Sequence, residues 1–179
     1  MRTNLFSILT LVCISLCLDI SAATPKSVCL NDPAYNGWDF WLGDWVVHDK
    51  SGKLQGHNSI SKSNDGCFID ERWTSVNKTT GYSLNYYNPV SKLWSQKWVS
   101  AGSVIEYSGA LTEPNKLVLE GYLFNQIQKT KSAFKGTWSL LDDGRVRQLF
   151  EIYNDEKKNW NVWFDGYYTK QPSSSKNKD

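Results

Sequence analysis

Short segments of alternating side chains, separated by turn residues at regular intervals, run along almost the whole chain. Between Gly81 and Tyr87, for example, the side chains alternate with the period of two that marks a half-buried strand. Asp143-Gly144 is a pair typical of a two-residue hairpin turn. About ten strands are predicted on this basis, at 45–48, 54–62, 68–75, 81–87, 93–99, 104–111, 116–124, 132–140, 145–153 and 159–168.

Strands at such regular spacing, with no helix between them, favour sequential antiparallel pairing. We therefore expect one all-β domain over residues 38–169, built as an antiparallel up-and-down β-barrel of about ten strands. A β-sandwich is the alternative. A barrel has the advantage that it leaves no strand edge open to pairing with another chain. Trp38 to Leu42 is expected to form one short helical turn before the first strand.

Residues 1–23 have the pattern of a signal peptide, because Arg2 precedes an apolar run that ends in small residues at Ala22 and Ala23. That run is shorter than the roughly 20 apolar residues needed to span a membrane, so no transmembrane segment is expected. We predict a secreted protein, either periplasmic or extracellular. The polar residues 170–179 are expected to form a disordered tail.

Two cysteines follow the predicted signal peptide, Cys29 and Cys67. In an oxidising compartment we expect them to form one disulfide that ties the N-terminal segment, residues 24–37, to the body of the domain. The alternative is a buried free thiol at Cys67 and an incidental exposed thiol at Cys29. The formal net charge of +2 is too weak a field to indicate nucleic acid as a partner.

The string from Phe40 to Trp45, FWLGDW, is the most distinctive motif in the chain. Its Gly43-x-Trp45 spacing is similar to the opening signature of lipocalins, in which such a Trp stacks on an Arg from a late strand. The resemblance implies that Arg145 or Arg147 takes that position here. Further motifs follow in order: Gly66-Cys67, Glu71-x-Trp73, Gly81-x-Ser83-x-Asn85, Trp94-x-Gln96-x-Trp98-Val99, Trp138, Val146-Arg147-Gln148 and Phe164-Asp165-Gly166-Tyr167.

Together these motifs resemble a family of small, secreted, mostly bacterial proteins of unknown function with a lipocalin-like, calycin-type barrel. The resemblance extends from Trp38 to Tyr168 and implies a single barrel domain. It implies no particular activity, and no catalytic residue can be transferred from it.

The parity of strand residues indicates which side chains face the barrel interior. In the strand 68–75, the charged residues Asp70 and Arg72 share one face, so Glu71 and Trp73 are expected on the inner one. The same reasoning predicts a lumen with aromatic walls, Phe150 among them, and several polar groups. The predicted ligand-binding residues are Asn58, Glu71, Trp73, Asn85, Tyr87, Trp94, Gln96, Trp98 and Gln148. An unpaired buried polar group costs about 1–3 kcal/mol, so these groups must satisfy one another or meet a ligand or water.

The leading hypothesis is a secreted protein that binds a small apolar or aromatic molecule in the barrel lumen. The alternative is an enzyme of hydrolase, isomerase or cyclase type with Glu71 as general acid or base, because desolvation raises the pKa of a carboxyl group. Pairing of Glu71 with Arg147, or a solvated place at the rim, would remove that role. A third interpretation is carbohydrate binding through exposed Trp160 or Trp163, which parity assigns to opposite faces of one strand.

The sequence favours binding over catalysis and leaves enzyme activity open. Its two histidines, His48 and His57, belong to different predicted strands, without cysteine or carboxylate at a metal-binding spacing. We therefore predict no metal and no cofactor, with both histidines at the surface. The sequence contains no nucleophile-elbow motif and no phosphate-binding glycine loop.

Overall fold

A computed structural model describes residues 27–171. The predicted signal peptide, residues 1–23, and positions 172–179 of the predicted tail lie outside the described residues. Each of the predicted strands is present, and β2 and β3 have the predicted limits. The strands are β1 Gly43–Asp49, β2 Leu54–Lys62, β3 Phe68–Ser75, β4 Thr80–Asn88, β5 Leu93–Ser100, β6 Ser103–Glu113, β7 Lys116–Asn125, β8 Thr130–Leu140, β9 Val146–Asn154 and β10 Asn159–Lys170.

Each strand pairs in antiparallel fashion with its neighbours in sequence, and β10 pairs with β1, so the sheet closes into a barrel. In the closing ladder, Trp45 lies opposite Lys170 and Asp49 lies opposite Gly166. The all-β up-and-down barrel is thereby confirmed, and the β-sandwich is excluded. The architecture is consistent with a lipocalin-like fold. β10 runs one residue beyond the predicted domain end, because Lys170 is needed for the pairing with β1.

The barrel interior is chemically asymmetric. In β4, Gly81, Ser83 and Asn85 are buried, whereas the residues that alternate with them are exposed. The inner positions of β2 to β5 thus carry several small or polar side chains. Strands β6 to β9 instead bury large apolar side chains: Ile105, Tyr107, Leu117, Leu119, Leu123, Phe134, Trp138 and Val146.

Residues 27–42 form an N-terminal plug that closes one end of the barrel. It contains three short 3₁₀ helices, Val28–Leu30, Pro33–Asn36 and Asp39–Trp41, the last of which lies in the predicted helical turn. Trp38 and Trp41 stack with ring centroids 5.0 Å apart and are fully buried. Trp94 and Trp138 from the barrel wall contact them edge-on. Clusters of buried indoles remove a large apolar area from water, so this cluster holds the plug in the barrel.

Two further links attach the plug to the strands. The Cys29–Cys67 disulfide is present, as predicted, and joins the plug to the residue that precedes β3. At the end of β2, the Lys62 ammonium donates hydrogen bonds to the Tyr35 carbonyl at 3.0 Å and to the Asp39 carboxylate at 2.7 Å. The same half-buried ammonium also donates to Asn36 Oδ1 at 2.8 Å, so three hydrogen bonds fix the position of the plug relative to β2.

The chain passes from the plug into β1 at Gly43, whose φ of +132° is accessible mainly to glycine. Trp45 then enters the barrel with 1% of its surface exposed, and its indole N–H donates to the Trp41 carbonyl at 2.9 Å. Both tryptophans of the FWLGDW string, Trp41 and Trp45, are therefore buried and joined where the plug meets β1.

The expected stacking of Arg145 or Arg147 on Trp45 is wrong. Both guanidinium groups lie near the ring of Tyr167. Arg147 lies between the buried residues Val146 and Gln148 of β9, and Arg145 immediately precedes the strand, so both side chains belong to the outer face and not to the lumen. The ammonium of Lys170 lies over the Trp45 ring instead, 5.4 Å from its centroid.

Candidate ligand-binding site

The barrel end remote from the plug contains a cavity of about 170 Å³ that is partly open to solvent. Five aromatic rings form its walls, and three polar side chains complete its lining. The lining residues are Trp73, Trp98, Phe150, Trp163 and Phe164, with Glu71, Gln148 and Tyr168. An apolar cavity of about 150 Å³ can accept benzene, so this volume suits a molecule of about one ring.

Two inward-facing glycines make room for the indoles that form the cavity wall. A Cβ atom at Gly56 would lie 2.8 Å from carbons of the Trp73 ring, and one at Gly81 would lie 2.6 Å from the Trp98 ring. Each glycine is followed two residues later by an inward polar residue, Asn58 or Ser83. In β2 and β4, the glycine thus leaves space for an indole near the open end of the barrel, and the polar residue two positions later lies deeper in the lumen.

A bulge in β10 brings two consecutive aromatic residues to the same cavity. The pairing with β9 shifts between Val162 and Phe164, so Trp163 and Phe164 both line the lumen instead of alternating between faces. Trp163 stacks against Phe150 with ring centroids 6.2 Å apart and keeps 46% of its surface exposed. It therefore forms the rim of the cavity.

Trp160 lies on the outer face of β10, opposite to Trp163, as parity predicts. Its ring packs edge-on against Tyr153, and the ammonium of Lys135 lies 4.5 Å from its centroid. Trp160 is half-buried by these neighbours and does not offer a free flat surface. The geometry therefore gives no support for carbohydrate binding at this residue.

The Glu71 carboxylate lies at the base of the cavity and accepts two hydrogen bonds from the barrel wall. Ser83 Oγ donates to one oxygen at 2.6 Å, and Asn58 Nδ2 donates to the other at 2.7 Å. Glu71 is only 4% exposed, so the alternative of a solvated place at the rim is wrong. Pairing with Arg147 is also wrong, because that guanidinium binds Asp165 on the outer face at 2.7 and 3.0 Å.

The backbone carbonyl of Ile69 fixes the direction of the hydrogen bonds around Ser83. It accepts from Asn85 Nδ2 at 2.9 Å, so the Asn85 amide oxygen must be the atom that accepts from Gln96 Nε2. The Gln96 amide oxygen in turn accepts from the Tyr107 hydroxyl. Both amide nitrogens also donate to Ser83 Oγ, at 2.9 and 3.2 Å. Because a hydroxyl oxygen has two lone pairs, the Ser83 proton can only be donated to Glu71.

A second branch of the network reaches Gln148. Asn58 Nδ2 lies 3.3 Å from the Tyr168 hydroxyl, which donates its proton to the Gln148 amide oxygen. The amide N–H groups of Gln148 thus remain for the cavity that this residue lines. The Asn58 amide oxygen is buried and has no hydrogen-bond partner within residues 27–171.

Burial controls the protonation of the three titratable groups in this network. It raises the pKa of the Glu71 carboxyl above its usual value of 4.5, and the hydrogen bonds from Ser83 and Asn58 partly oppose the rise. Burial also raises the pKa of the Tyr107 and Tyr168 hydroxyls well above their usual value of 10, so both stay protonated. Glu71 is therefore the group of the network that ionises at the lowest pH, although above its usual range.

All nine predicted ligand-binding residues lie on the inner face of the barrel, but they do not share one space. Glu71, Trp73, Trp98 and Gln148 line the cavity, together with Phe150. Asn58, Asn85 and Gln96 belong to the network around Glu71. Tyr87 and Trp94 lie at the plugged end, where they contact Tyr35 and Trp38, respectively.

The predicted lumen and ligand-binding set leave out five residues of the site: Ser83, Tyr107, Trp163, Phe164 and Tyr168. Alternation along β4, β6 and β10 could have identified Ser83, Tyr107 and Tyr168, because each lies between outward-facing residues. It could not have identified Trp163 and Phe164 together, since their joint presence in the lumen depends on the bulge in β10.

The histidines are remote from the cavity. His57 is exposed, with Nδ1 2.9 Å from Gln171 Nε2, and His48 is half-buried beside a polar surface depression. Within residues 27–171, no group of three or more His, Cys, Asp or Glu side chains is placed to hold a metal ion. The same part of the chain has no helix with the length and apolar character needed to cross a membrane.

A comparison with known protein families finds no matching family, and no curated protein is significantly similar to the chain. Any function must therefore be argued from the barrel, its cavity and the network beneath it.

Proposed function

We propose that this protein is a secreted binding protein that holds a small apolar or aromatic molecule at the open end of its barrel. The observation that carries the proposal is the cavity of about 170 Å³ walled by five aromatic rings. Small-molecule sites are typically concave and mostly apolar, with a few polar groups that orient the ligand. Glu71, Gln148 and Tyr168 would serve that orienting role.

The size of the cavity limits the class of ligand. Drug-sized ligands occupy pockets of about 300–1,000 Å³, whereas this cavity is close to the volume that benzene requires. A molecule of about one ring is favoured over a lipid or a porphyrin. The exposed edge of Trp163 would contact any part of the ligand that extends beyond the mouth.

Secretion is supported by two independent features. The Cys29–Cys67 disulfide is of the kind that persists in oxidising compartments. Residues 1–23 have the charge and apolar pattern of a signal peptide.

Calorimetric titration with single-ring aromatic compounds such as toluene, phenol and benzyl alcohol tests the proposal. We expect binding with a stoichiometry of one, and weakening of about fivefold in a Trp98→Leu variant, because an aromatic contact is worth on the order of 1 kcal/mol. Trp160→Leu, on the outer face, is the matched control and should bind as the wild type does. If the wild-type protein binds no single-ring aromatic compound, whether neutral or charged, the proposal is wrong.

A second candidate, an enzyme with Glu71 as general acid or base, has one specific observation in its favour. A buried carboxylate with a raised pKa borders the cavity, and two of its acceptor positions are already held by fixed donors. A carboxyl group whose pKa is raised by burial is suited to act as a general acid or base. A carboxyl titration followed by NMR should show a Glu71 pKa above 4.5. An ordinary value would remove this candidate and leave the binding proposal intact.

A further inference from the structure

We propose that the ligand is a small organic ammonium ion, whose nitrogen binds the Glu71 carboxylate and whose apolar part contacts the surrounding rings. This inference rests on the proposed binding function and specifies the chemistry of its ligand. Three features of the cavity support it: the Glu71 carboxylate lacks a counter-charge, the surrounding hydrogen bonds hold it as an acceptor, and the walls are rich in indole rings.

Within residues 27–171, the Glu71 carboxylate has no positive partner. None of the eight residues that line the cavity is basic. The lysine and arginine side chains on β2, β3, β5 and β9 are paired with other carboxylates: Lys62 with Asp39, Arg72 with Asp70, Lys97 with Glu106 and Arg147 with Asp165. Because a buried carboxylate without a counter-charge is costly, a cation in the cavity would satisfy a requirement that residues 27–171 leave open.

The network holds Glu71 as a hydrogen-bond acceptor. An ionised carboxylate offers about four acceptor positions, and the donors Ser83 and Asn58 occupy one on each oxygen. The Ser83 proton has no other acceptor, since its oxygen already receives the two amide donors described above. The remaining positions lie on a carboxylate that borders the cavity. They are suited to N–H donors or to a positive charge brought by the ligand.

The walls are suited to the same class of ligand. Three of the five rings are indoles, Trp73, Trp98 and Trp163, and indole is the aromatic side chain that attracts cations most strongly. Trp98 and Trp73 adjoin Glu71 through the inner positions of β3, β4 and β5. A cation at this depth would contact ring faces and a carboxylate together, whereas an anion would meet unfavourable charge from both. The Gln148 amide N–H groups would accommodate an oxygen atom of the same ligand.

The experiment compares benzylamine, which is a cation at pH 8, with the neutral benzyl alcohol of nearly the same shape. Calorimetric titrations use the wild-type protein, Glu71→Gln and the control Glu106→Gln. Glu106 carries the same functional group on the outer face, where it pairs with Lys97. We expect benzylamine to bind the wild type about tenfold or more tightly than benzyl alcohol, because hydrogen bonds to charged groups are the stronger ones. Glu71→Gln should remove this preference, and Glu106→Gln should keep it.

The wild-type protein provides a second readout that needs no variant. Benzylamine affinity should fall as the pH is lowered through the raised pKa of Glu71, since protonation removes the charge, while benzyl alcohol affinity should stay constant. The other titratable groups facing Glu71 are Tyr107 and Tyr168, whose raised pKa keeps them neutral throughout this titration.

The possible results separate this inference from the proposed function. If benzyl alcohol binds at least as tightly as benzylamine, and pH leaves both affinities unchanged, the ammonium inference is overturned while aromatic binding stands. If neither compound binds, the binding function itself fails. A Glu71→Gln variant that folds normally and keeps the preference for benzylamine would also overturn the inference.

Discussion

The Ser83 hydroxyl is the residue-scale feature on which the interior depends. It receives the amide donors of Asn85 and Gln96 and passes its own proton to Glu71. Because Ile69 fixes the orientation of Asn85 through a backbone carbonyl, the sheet itself sets the direction of these hydrogen bonds. One hydroxyl group thus determines both the stability of the network and the charge state that Glu71 favours.

Replacement of Ser83 by alanine should therefore have two separable effects. The free energy of unfolding should fall by about 1–3 kcal/mol, because buried amide donors lose their acceptor. The pKa of Glu71 should rise further, because a donor to its ionised form is lost. Urea denaturation measures the first effect and a carboxyl NMR titration the second. Ser95→Ala, on the outer face of β5, should change neither, and unaltered values in Ser83→Ala would contradict the network as described.

The raised pKa of Glu71 predicts a defined pH dependence of stability. Between its usual value of 4.5 and its folded value, the folded state binds more protons than the unfolded state. The contribution of Glu71 to stability is thus fully present below about pH 4.5 and is lost as the pH rises through the folded pKa. Urea denaturation across this range should show the wild type losing stability relative to Glu71→Gln as pH increases. A relative gain with increasing pH would contradict the sign of the shift.

At the scale of structural elements, the N-terminal plug determines which end of the barrel is available. Trp38 and Trp41 fill the end that Tyr87 and Trp94 border, and the opposite end keeps its cavity. Local patterns in the sequence predict each strand, but they do not predict that residues 27–42 fold into one end of the barrel and fill it. For this reason parity predicted the inward direction of Trp94 but not its separation from Trp73 and Trp98.

Lys62→Met should loosen the plug without opening the strand ladder. The substitution removes the ammonium that binds the Tyr35 carbonyl and the Asp39 carboxylate, so we expect a loss of about 1–3 kcal/mol in unfolding free energy. Chemical denaturation measures this loss. Lys97→Met, which breaks a solvent-exposed pair with Glu106, should cost less than about 1 kcal/mol. Equal effects of the two substitutions would show that Lys62 does not anchor the plug.

At the scale of the whole molecule, the barrel was predictable because its determinants are local. Alternation with a period of two and turn residues such as Asp143-Gly144 define each strand, and sequential pairing then follows. The polar set around Glu71 was predictable for the same reason. The bulge that brings Trp163 and Phe164 together was not, because it depends on a register shift against β9.

The FWLGDW motif did not predict which side chain contacts the Trp45 ring. The Gly43-x-Trp45 spacing implied a cation stacked on the tryptophan, but that cation is Lys170 and not Arg145 or Arg147. Only the closing ladder between β1 and β10, which sets Lys170 opposite Trp45, identifies that neighbour.

The central claim, that the open end of the barrel binds a small aromatic molecule, is tested most directly by the indole N–H signals of ¹⁵N-labelled protein. Titration with benzylamine and with benzyl alcohol should shift the signals of Trp73, Trp98 and Trp163, which line the cavity. The signals of Trp38 and Trp41, buried in the plug, should stay in place. If neither compound moves the cavity signals, or if the plug signals shift instead, the claim is contradicted.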